Sequence, residues 1–364
     1  MGVRNNMKCK IYISDEGFGP VVRQRAILEE LRRLEQGIEA VIQTRNHMDD
    51  AKRIVPHSEF IKRYNNIAWV KSKDGSPDVR ATKNKFSDYL SRSDSFVERE
   101  LKEFKSDFVI SDFVYEAFEV GHRKKIPSFG VAHFTWDWFF SKLYPPPLET
   151  SVLERFFDFG SKASVMYFPP FTPNEIIHQY KKNAFRVPMI VRKNISHKKI
   201  SKPGKFNVLL VDSGAGVLQY SIRKALKAIG QLDDVHFFVS SSFKSKEKNV
   251  SFIDRHELFI DYINDMDLVI GRAGFNTISE CIALRTPMLL LSEGSNPEMN
   301  ENIINIKHEG LGSFISIRQF EEGLAEYLPR FVKGEYRNLL ENMKNHSIPS
   351  NGAEIIAKDI LKRL

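Results

Sequence analysis

Residues 267–302, DLVIGRAGFNTISECIALRTPMLLLSEGSNPEMNEN, constrain the fold of this chain more tightly than any other stretch. The apolar run 268–270 suits a short strand buried on both faces, and 271–274 breaks it with a tight turn. Asn276 and Thr277 are N-cap residue types, and Glu280 stands three residues after Thr277 as in a capping box. Ile278, Cys281, Ile282 and Arg285 then describe about three helical turns, which Pro287 stops before a second apolar run at 288–291. A strand, turn, helix, strand unit of this kind belongs to a doubly wound α/β sheet, where ligands sit outside the carboxyl ends of the strands. Gly274 would let the backbone approach a phosphate at the helix N-terminus, and Glu280 could accept two hydrogen bonds from a ribose diol. The same residues could equally serve the fold alone, with Glu280 completing a cap.

The rest of the chain repeats this unit. With 364 residues it suits two domains of about 150 to 200 residues each. Strands are expected at 8–14, 39–44, 108–111, 128–132 and 165–168, the last taken to end the first domain. The polar, basic stretch 51–92 reads as short helices. Further strands are expected at 207–211, 236–240, 249–253 and 313–317, and helices at 261–266, 319–343 (with a break at Lys333 and Gly334) and 352–364. The aperiodic basic segment 193–205 reads as a linker. Gly17 and Gly19 form a G-x-G turn ahead of an amphipathic helix, and Gly214 and Gly216 a small-residue turn that leaves backbone N–H groups for an anion. Asp112 follows a buried strand, His133 and Asp137 follow its neighbour, and Trp136 and Trp138 are placed either to wall a cleft or to fill a core.

A formal charge of +8 favours anionic partners. Nucleic acid is the weakest of these, because the charge is dispersed and no recognition module is present. Two cysteines, Cys9 and Cys281, exclude a disulfide framework and read as core hydrophobes. No apolar run approaches the roughly 20 residues that span a bilayer, and the N-terminus lacks a signal-peptide core. The expected location is the cytoplasm, with a basic surface suited to contact with the cytoplasmic face of a membrane.

The pattern D-x-x-I-x-R-x-G-x-x-T-x-S-E at 267–280, followed by an apolar strand and an acidic, Asn-containing segment, resembles the donor-binding half of the two-domain GT-B glycosyltransferases, such as the bacterial GlcNAc transferase of peptidoglycan synthesis. The loop Gly17, Phe18, Gly19, Pro20, Val21, Val22, Arg23 is similar to the G-x-G-H-x-x-R of those transferases and of plant L-arabinokinase N-terminal regions, with Pro20 where they carry histidine. The SDFV at 111–114 and HFTWD at 133–137 resemble the arabinokinase region in spacing.

This resemblance implies an α/β fold of two Rossmann-like doubly wound domains facing a cleft. The acceptor domain would be 1–192, the linker 193–205, the donor domain 206–348, and a C-terminal helix, 349–364, would return to the first domain. It also implies that Glu280 holds a donor ribose, that Glu298 and Asn302 face the sugar, and that the loop around His256 seats the base. Arg192 and the Gly214–Gly216 loop would meet the diphosphate, with Gly17, Gly19, Gly274, Asn276 and Thr277 lining the site. The expected activity is transfer of a sugar from a nucleotide diphosphate, a UDP-sugar, to a glycan, lipid or small-molecule hydroxyl, with no metal and no resident cofactor. Since Pro20 cannot titrate, the general base is sought among Asp15, Glu16, Asp112, His133 and Asp137, with Asp112 foremost and capping as its alternative role. Hydrolysis or epimerisation of a nucleotide sugar, and sugar-nucleotide binding without chemistry, are the competing functions.

Overall fold

The computed structural model describes residues 6–65, 69–72, 76–212 and 218–364. Its apolar runs pair side by side into two wholly parallel sheets. The first holds β1 (Met7–Ile13), β2 (Ile38–Thr44), β3 (Glu59–Lys62), β4 (Phe108–Asp112), β5 (Ser128–Val131), β6 (Val165–Phe168) and β7 (Ala184–Arg186), in the order β3-β2-β1-β4-β5-β6-β7. The second holds β8 (Phe206–Val211), β9 (Val235–Ser240), β10 (Val250–Ile253), β11 (Leu268–Arg272), β12 (Met288–Ser292) and β13 (Ser313–Ser316), in the order β10-β9-β8-β11-β12-β13. The strand order reverses between β1 and β4 in one sheet and between β8 and β11 in the other. Loops leaving the carboxyl ends diverge there and open a crevice for a ligand.

Central strands such as β4 and β11 are buried throughout, because helices cover both faces of a parallel sheet, whereas the edge strands β3, β7, β10 and β13 are partly exposed. Two expectations fail at these edges. The stretch 51–92 contains β3 between the helices Met48–Ile54 and Val79–Phe86, and β7 follows β6 as a further strand. An edge strand buries only part of its surface, so neither EFIK nor AFR needs the apolar run that marks a central strand.

Met189, Ile190 and the last helix, Gly352–Arg363, belong to the first compact unit, which comprises the described residues to Lys71, Pro77–Arg192 and Asn351–Leu364. Gly352 is required there, since a Cβ would stand 2.2 Å from the Pro188 carbonyl oxygen. Tyr167 on β6 donates to Asp359 at 2.8 Å, and the helix lies along Gly19–Leu34. Lys193–Ser350, with Ser72 and Ser76, forms the second unit. The basic segment after Arg192 has no regular structure, yet it is pinned to this unit: Asp261 accepts from the Ser196 N–H at 3.0 Å and Asp265 from that of Ser201 at 2.7 Å. No helix among the described residues is long and apolar enough to cross a membrane.

An aromatic cluster fills one face of the first sheet, including Phe86, Tyr89, Tyr115, Trp136, Phe140 and Phe156. Trp136 is 1% exposed and donates to the Phe113 carbonyl, so it fills the core. Glu116 is buried beside this cluster and accepts from the Tyr89 hydroxyl at 2.9 Å. Burial pushes its carboxyl up to about 7.

Between the ordinary glutamate pKa of about 4.3 and that value, the folded protein holds a proton that the unfolded chain has lost, so stability falls as pH rises across the window, by up to about 3 kcal/mol. Glu116→Gln fills the same space and cannot ionise. Urea unfolding should therefore show the variant gaining on the parent by roughly 2 to 3 kcal/mol at pH 8 and by little at pH 4.5. A difference that does not change with pH would contradict the buried, proton-binding role.

Candidate functional site

In the second unit, the carboxyl rim at the strand-order reversal is built from the ends of β8, β11 and β12. Arg272 ends β11 with its side chain 6% exposed, and it pairs through two nitrogens with Glu293, just beyond β12, whose side chain is fully buried. Burial alone would lower the guanidinium's pKa; Glu293, Glu298 and Asp212 more than offset this and hold its charge. Asp212, after β8, accepts from the Leu218 N–H at 3.1 Å, and burial raises its carboxyl to about 6.

Gly274, not Asn276 or Thr277, is the N-cap of the ten-residue helix Phe275–Leu284, and no side chain caps it. The expected capping box is therefore absent, because the helix starts one residue before Asn276 and places Glu280 in its second turn. Glu280 is partly exposed and is not consumed by the cap. No described residue comes within 4 Å of a Cβ placed on Gly274, so a ligand can approach the backbone closely there.

Asn302, expected at a sugar, instead donates to the Ala273 carbonyl at 2.8 Å and is buried. It fixes the turn between β11 and the helix. Glu298 lies in the first turn of Pro297–His308, capped by Asn296, which accepts from the Met299 N–H. His256 is exposed after β10, against Arg255. Arg192, the last residue before the basic segment, is buried, 5% exposed. Gly214 and Gly216 fall outside the described residues.

In the first unit, Gly17 takes φ +76° in the turn after β1, and Gly19 opens the helix Gly19–Leu34, in whose first turn Pro20 is buried. That helix returns Arg23 and Gln24 to the sheet. Arg23 pairs with both oxygens of Asp112 at 2.7 and 3.1 Å, and Gln24 adds a third hydrogen bond at 3.1 Å. Asp112 is fully buried at the end of β4, and the following helix starts only at Glu116. It does not cap that helix, and both oxygens of its carboxylate are engaged by Arg23 and Gln24.

Asp137 accepts from Gln179 at 2.8 Å and from the Tyr180 hydroxyl at 3.3 Å, and burial raises its pKa. Both of its oxygens are thus engaged by the end of the helix Asn174–Gln179 and the residue after it. His133 packs edge-on against Phe113 and Phe134. Asp15 is saturated, accepting from the N–H groups of Arg45, Asn46 and Asn65 at 2.8, 2.8 and 2.7 Å, and Glu16 pairs with Lys71.

Sequence reasoning overlooked Arg272 with Glu293, Asp212, and His47, which lies 9% exposed at the rim beside β2. Arg272 stands inside the 267–280 pattern, and Glu293 ends an apolar run as Asp112 does. Those were available signals, whereas nothing local marks His47.

Residues 209–364 match the model of the glycosyltransferase family 28 C-terminal domain. The chain is 28% identical over 280 residues to a UDP-N-acetylglucosamine–N-acetylmuramyl-(pentapeptide) pyrophosphoryl-undecaprenol N-acetylglucosamine transferase of Thermosipho africanus, covering 74% of each chain. A protein of the same description from Clostridium perfringens is matched at 28% identity over 41% of this chain and 44% of its own length. Among solved structures, the glycotransferase of kitacinnamycin superposes with a TM-score of 0.64 at 14% identity, over 100% of both chains. The spinosyn rhamnosyltransferase SpnG complexed with thymidine diphosphate gives 0.63 at 13% identity, over 97% of this chain and 100% of its own.

Because Asp112 balances a buried guanidinium, Asp112→Asn should cost about 3 to 5 kcal/mol of stability. Replacing both partners, as Arg23→Met with Asp112→Leu, should recover most of that loss. Urea midpoints measure both; an Asp112→Asn midpoint equal to the parent's would contradict the pairing.

Proposed function

We propose that this chain, which is similar to the peptidoglycan GlcNAc transferase and carries the glycosyltransferase family 28 C-terminal pattern, is a GT-B nucleotide-sugar glycosyltransferase that transfers a glycosyl unit from a UDP-sugar to an acceptor hydroxyl without a metal ion. The observation that carries this reading is the rim of the second sheet. There Gly274 opens a ten-residue helix beside the buried Arg272–Glu293 pair, inside the segment that the family model spans.

Arg272 is neutralised by Glu293, so the developing charge on the leaving diphosphate must be met elsewhere. The N-terminus of Phe275–Leu284 supplies oriented N–H groups with partial positive charge, and Arg192 is proposed to supply a full one. Asn276 and Thr277 lie on the first turn and are proposed to assist. Carboxylates accept hydrogen bonds from hydroxyls, so Glu280 is proposed for the ribose diol and Glu298 for the sugar. The base is assigned to the loop around His256.

UDP is favoured over other carriers because the relatives' descriptions specify UDP-N-acetylglucosamine. The acceptor is proposed as a hydroxyl of a glycan, lipid or small molecule, met in the cytoplasm or at the cytoplasmic face of a membrane.

A thermal-shift series with UDP-, dTDP- and GDP-sugars, followed by product analysis, tests the donor class; a ligand at about 100 times its dissociation constant stabilises by roughly 2.7 kcal/mol. UDP-sugars should give the largest shift. Removing the Glu280 charge forfeits hydrogen bonds worth roughly 1.5 to 3 kcal/mol, so Glu280→Gln should weaken UDP binding about tenfold or more. Arg192→Ala should weaken UDP far more than uridine. Calorimetry showing unchanged UDP affinity in Glu280→Gln, or equal losses for UDP and uridine in Arg192→Ala, would contradict the respective assignment.

A further inference from the structure

His47 sits where the first unit's loops converge, and nothing in its own neighbourhood of sequence explains why an imidazole should be buried there. The two residues before it are clamped to the end of β1, since Asp15 accepts from the N–H groups of Arg45 and Asn46, and Asn46 donates back to the Asp15 carbonyl at 3.3 Å. His47 then begins the helix Met48–Ile54, its carbonyl accepting from the Ala51 N–H at 2.8 Å. Its ring lies against the glycine loop, 6.4 Å from the Phe18 ring between centroids. Nε2 is shielded from solvent and has no hydrogen-bond partner among the described residues. A buried polar atom left in this way costs free energy unless some state of the protein uses it.

The neighbouring groups are committed. Asp112 is paired with Arg23, Asp15 is saturated by backbone donors, and Glu16 is paired with Lys71. Phe18 stands between Gly17, at φ +76° with open space where a Cβ would be, and Gly19. Phe18 is the N-cap of Gly19–Leu34, its backbone held by the Val21 N–H at 3.1 Å, and its partly exposed side chain can change rotamer without moving the helix.

We propose that His47 is the general base of this transferase and that Phe18 is the cover that shields it until an acceptor enters. The assignment rests on the glycosyl-transfer reading above. With Phe18 displaced, Nε2 accepts the proton of the acceptor hydroxyl. The acceptor oxygen bonds to the anomeric carbon, the bond from that carbon to the diphosphate breaks, and its electron pair leaves with the nucleoside diphosphate. The imidazolium then returns its proton to solvent.

The charged groups facing His47 are Asp15 on the loop after β1, Asp50 on its own helix, and Lys71. Burial dominates and lowers the ring's pKa below 6.5; the two carboxylates and a hydrogen bond with the Asp15 backbone oppose it, while Lys71 reinforces it. The ring is therefore neutral, as a base must be, at neutral pH.

The test uses the full chain, with UDP-N-acetylglucosamine as donor and a panel of glycan, lipid and small-molecule alcohols as acceptors, and turnover is read as glycosylated product. Wild-type turnover should fall as pH drops through a single ionisation below 6.5. His47→Gln should lose about 100-fold or more of the neutral rate while keeping its UDP affinity and melting temperature, and added imidazole should restore turnover to His47→Ala. Diethyl pyrocarbonate, read by peptide mass spectrometry, should modify His47 slowly in the wild type and at least tenfold faster in Phe18→Ala. Retained turnover in His47→Gln overturns the base role alone, as does a loss of rate matched by a loss of UDP affinity and melting temperature. Equal modification rates overturn the cover. A wild type that binds UDP yet transfers sugar to no acceptor of the panel overturns the transfer reading and the base role together.

Discussion

Each sheet carries a buried ion pair at its carboxyl rim, beside the point where the strand order reverses: Arg23 with Asp112 in the first and Arg272 with Glu293 in the second. Removing charges from water costs several kcal/mol per ion, and the loss is recovered only when each charge meets its partner at close range. Such a pair tolerates little displacement, so it fixes the loops that carry it. Arg23 ties the helix after the glycine loop to the end of β4, and Glu293 ties the loop after β12 to the end of β11. The parallel sheets make this placement necessary, because strands buried on both faces leave the rims as the places where polar groups can gather.

This arrangement separates residues that hold the rim from residues that face outward. Asp112, Asp15 and Asn302 all carry the chemistry that binding or catalysis would need, and each spends it on a neighbouring backbone or side chain. Glu280, in the second turn, is not spent on the cap of its helix. Pro20 fits the same division: its fixed φ suits the first turn of a helix, so it serves the entry to Gly19–Leu34 while offering nothing to titrate.

The central strands were legible from sequence because burial on both faces demands continuous apolar runs, which VLLV and MLLL display. The edge strands β3 and β7 were not, because partial exposure relaxes that demand. Position at the rim was equally legible, since a polar residue directly after an apolar run must lie at a strand's carboxyl end. What such a residue does there was not. Asp112 and Arg23 are 89 residues apart, and Arg272 and Glu293 are 21 apart, so only the sheet order brings them together. His47 lies in RNHMDD, a polar stretch whose start is held by Asp15, 30 residues away, and no local pattern announces its burial. The start of Phe275–Leu284 was misplaced because glycine, which brings no side chain to the cap, outcompeted the Asn and Thr that follow it.

The central claim is that the rim around Gly274 in the second unit holds the nucleotide diphosphate. Amide hydrogen exchange on the full chain, with and without saturating UDP, tests it most directly, since backbone donors that grip an anion exchange more slowly. The account predicts strong protection at residues 273–277, extending through Glu280 and to the residues after β12. Protection confined to the first unit, or none near Gly274 while UDP is bound, would contradict it.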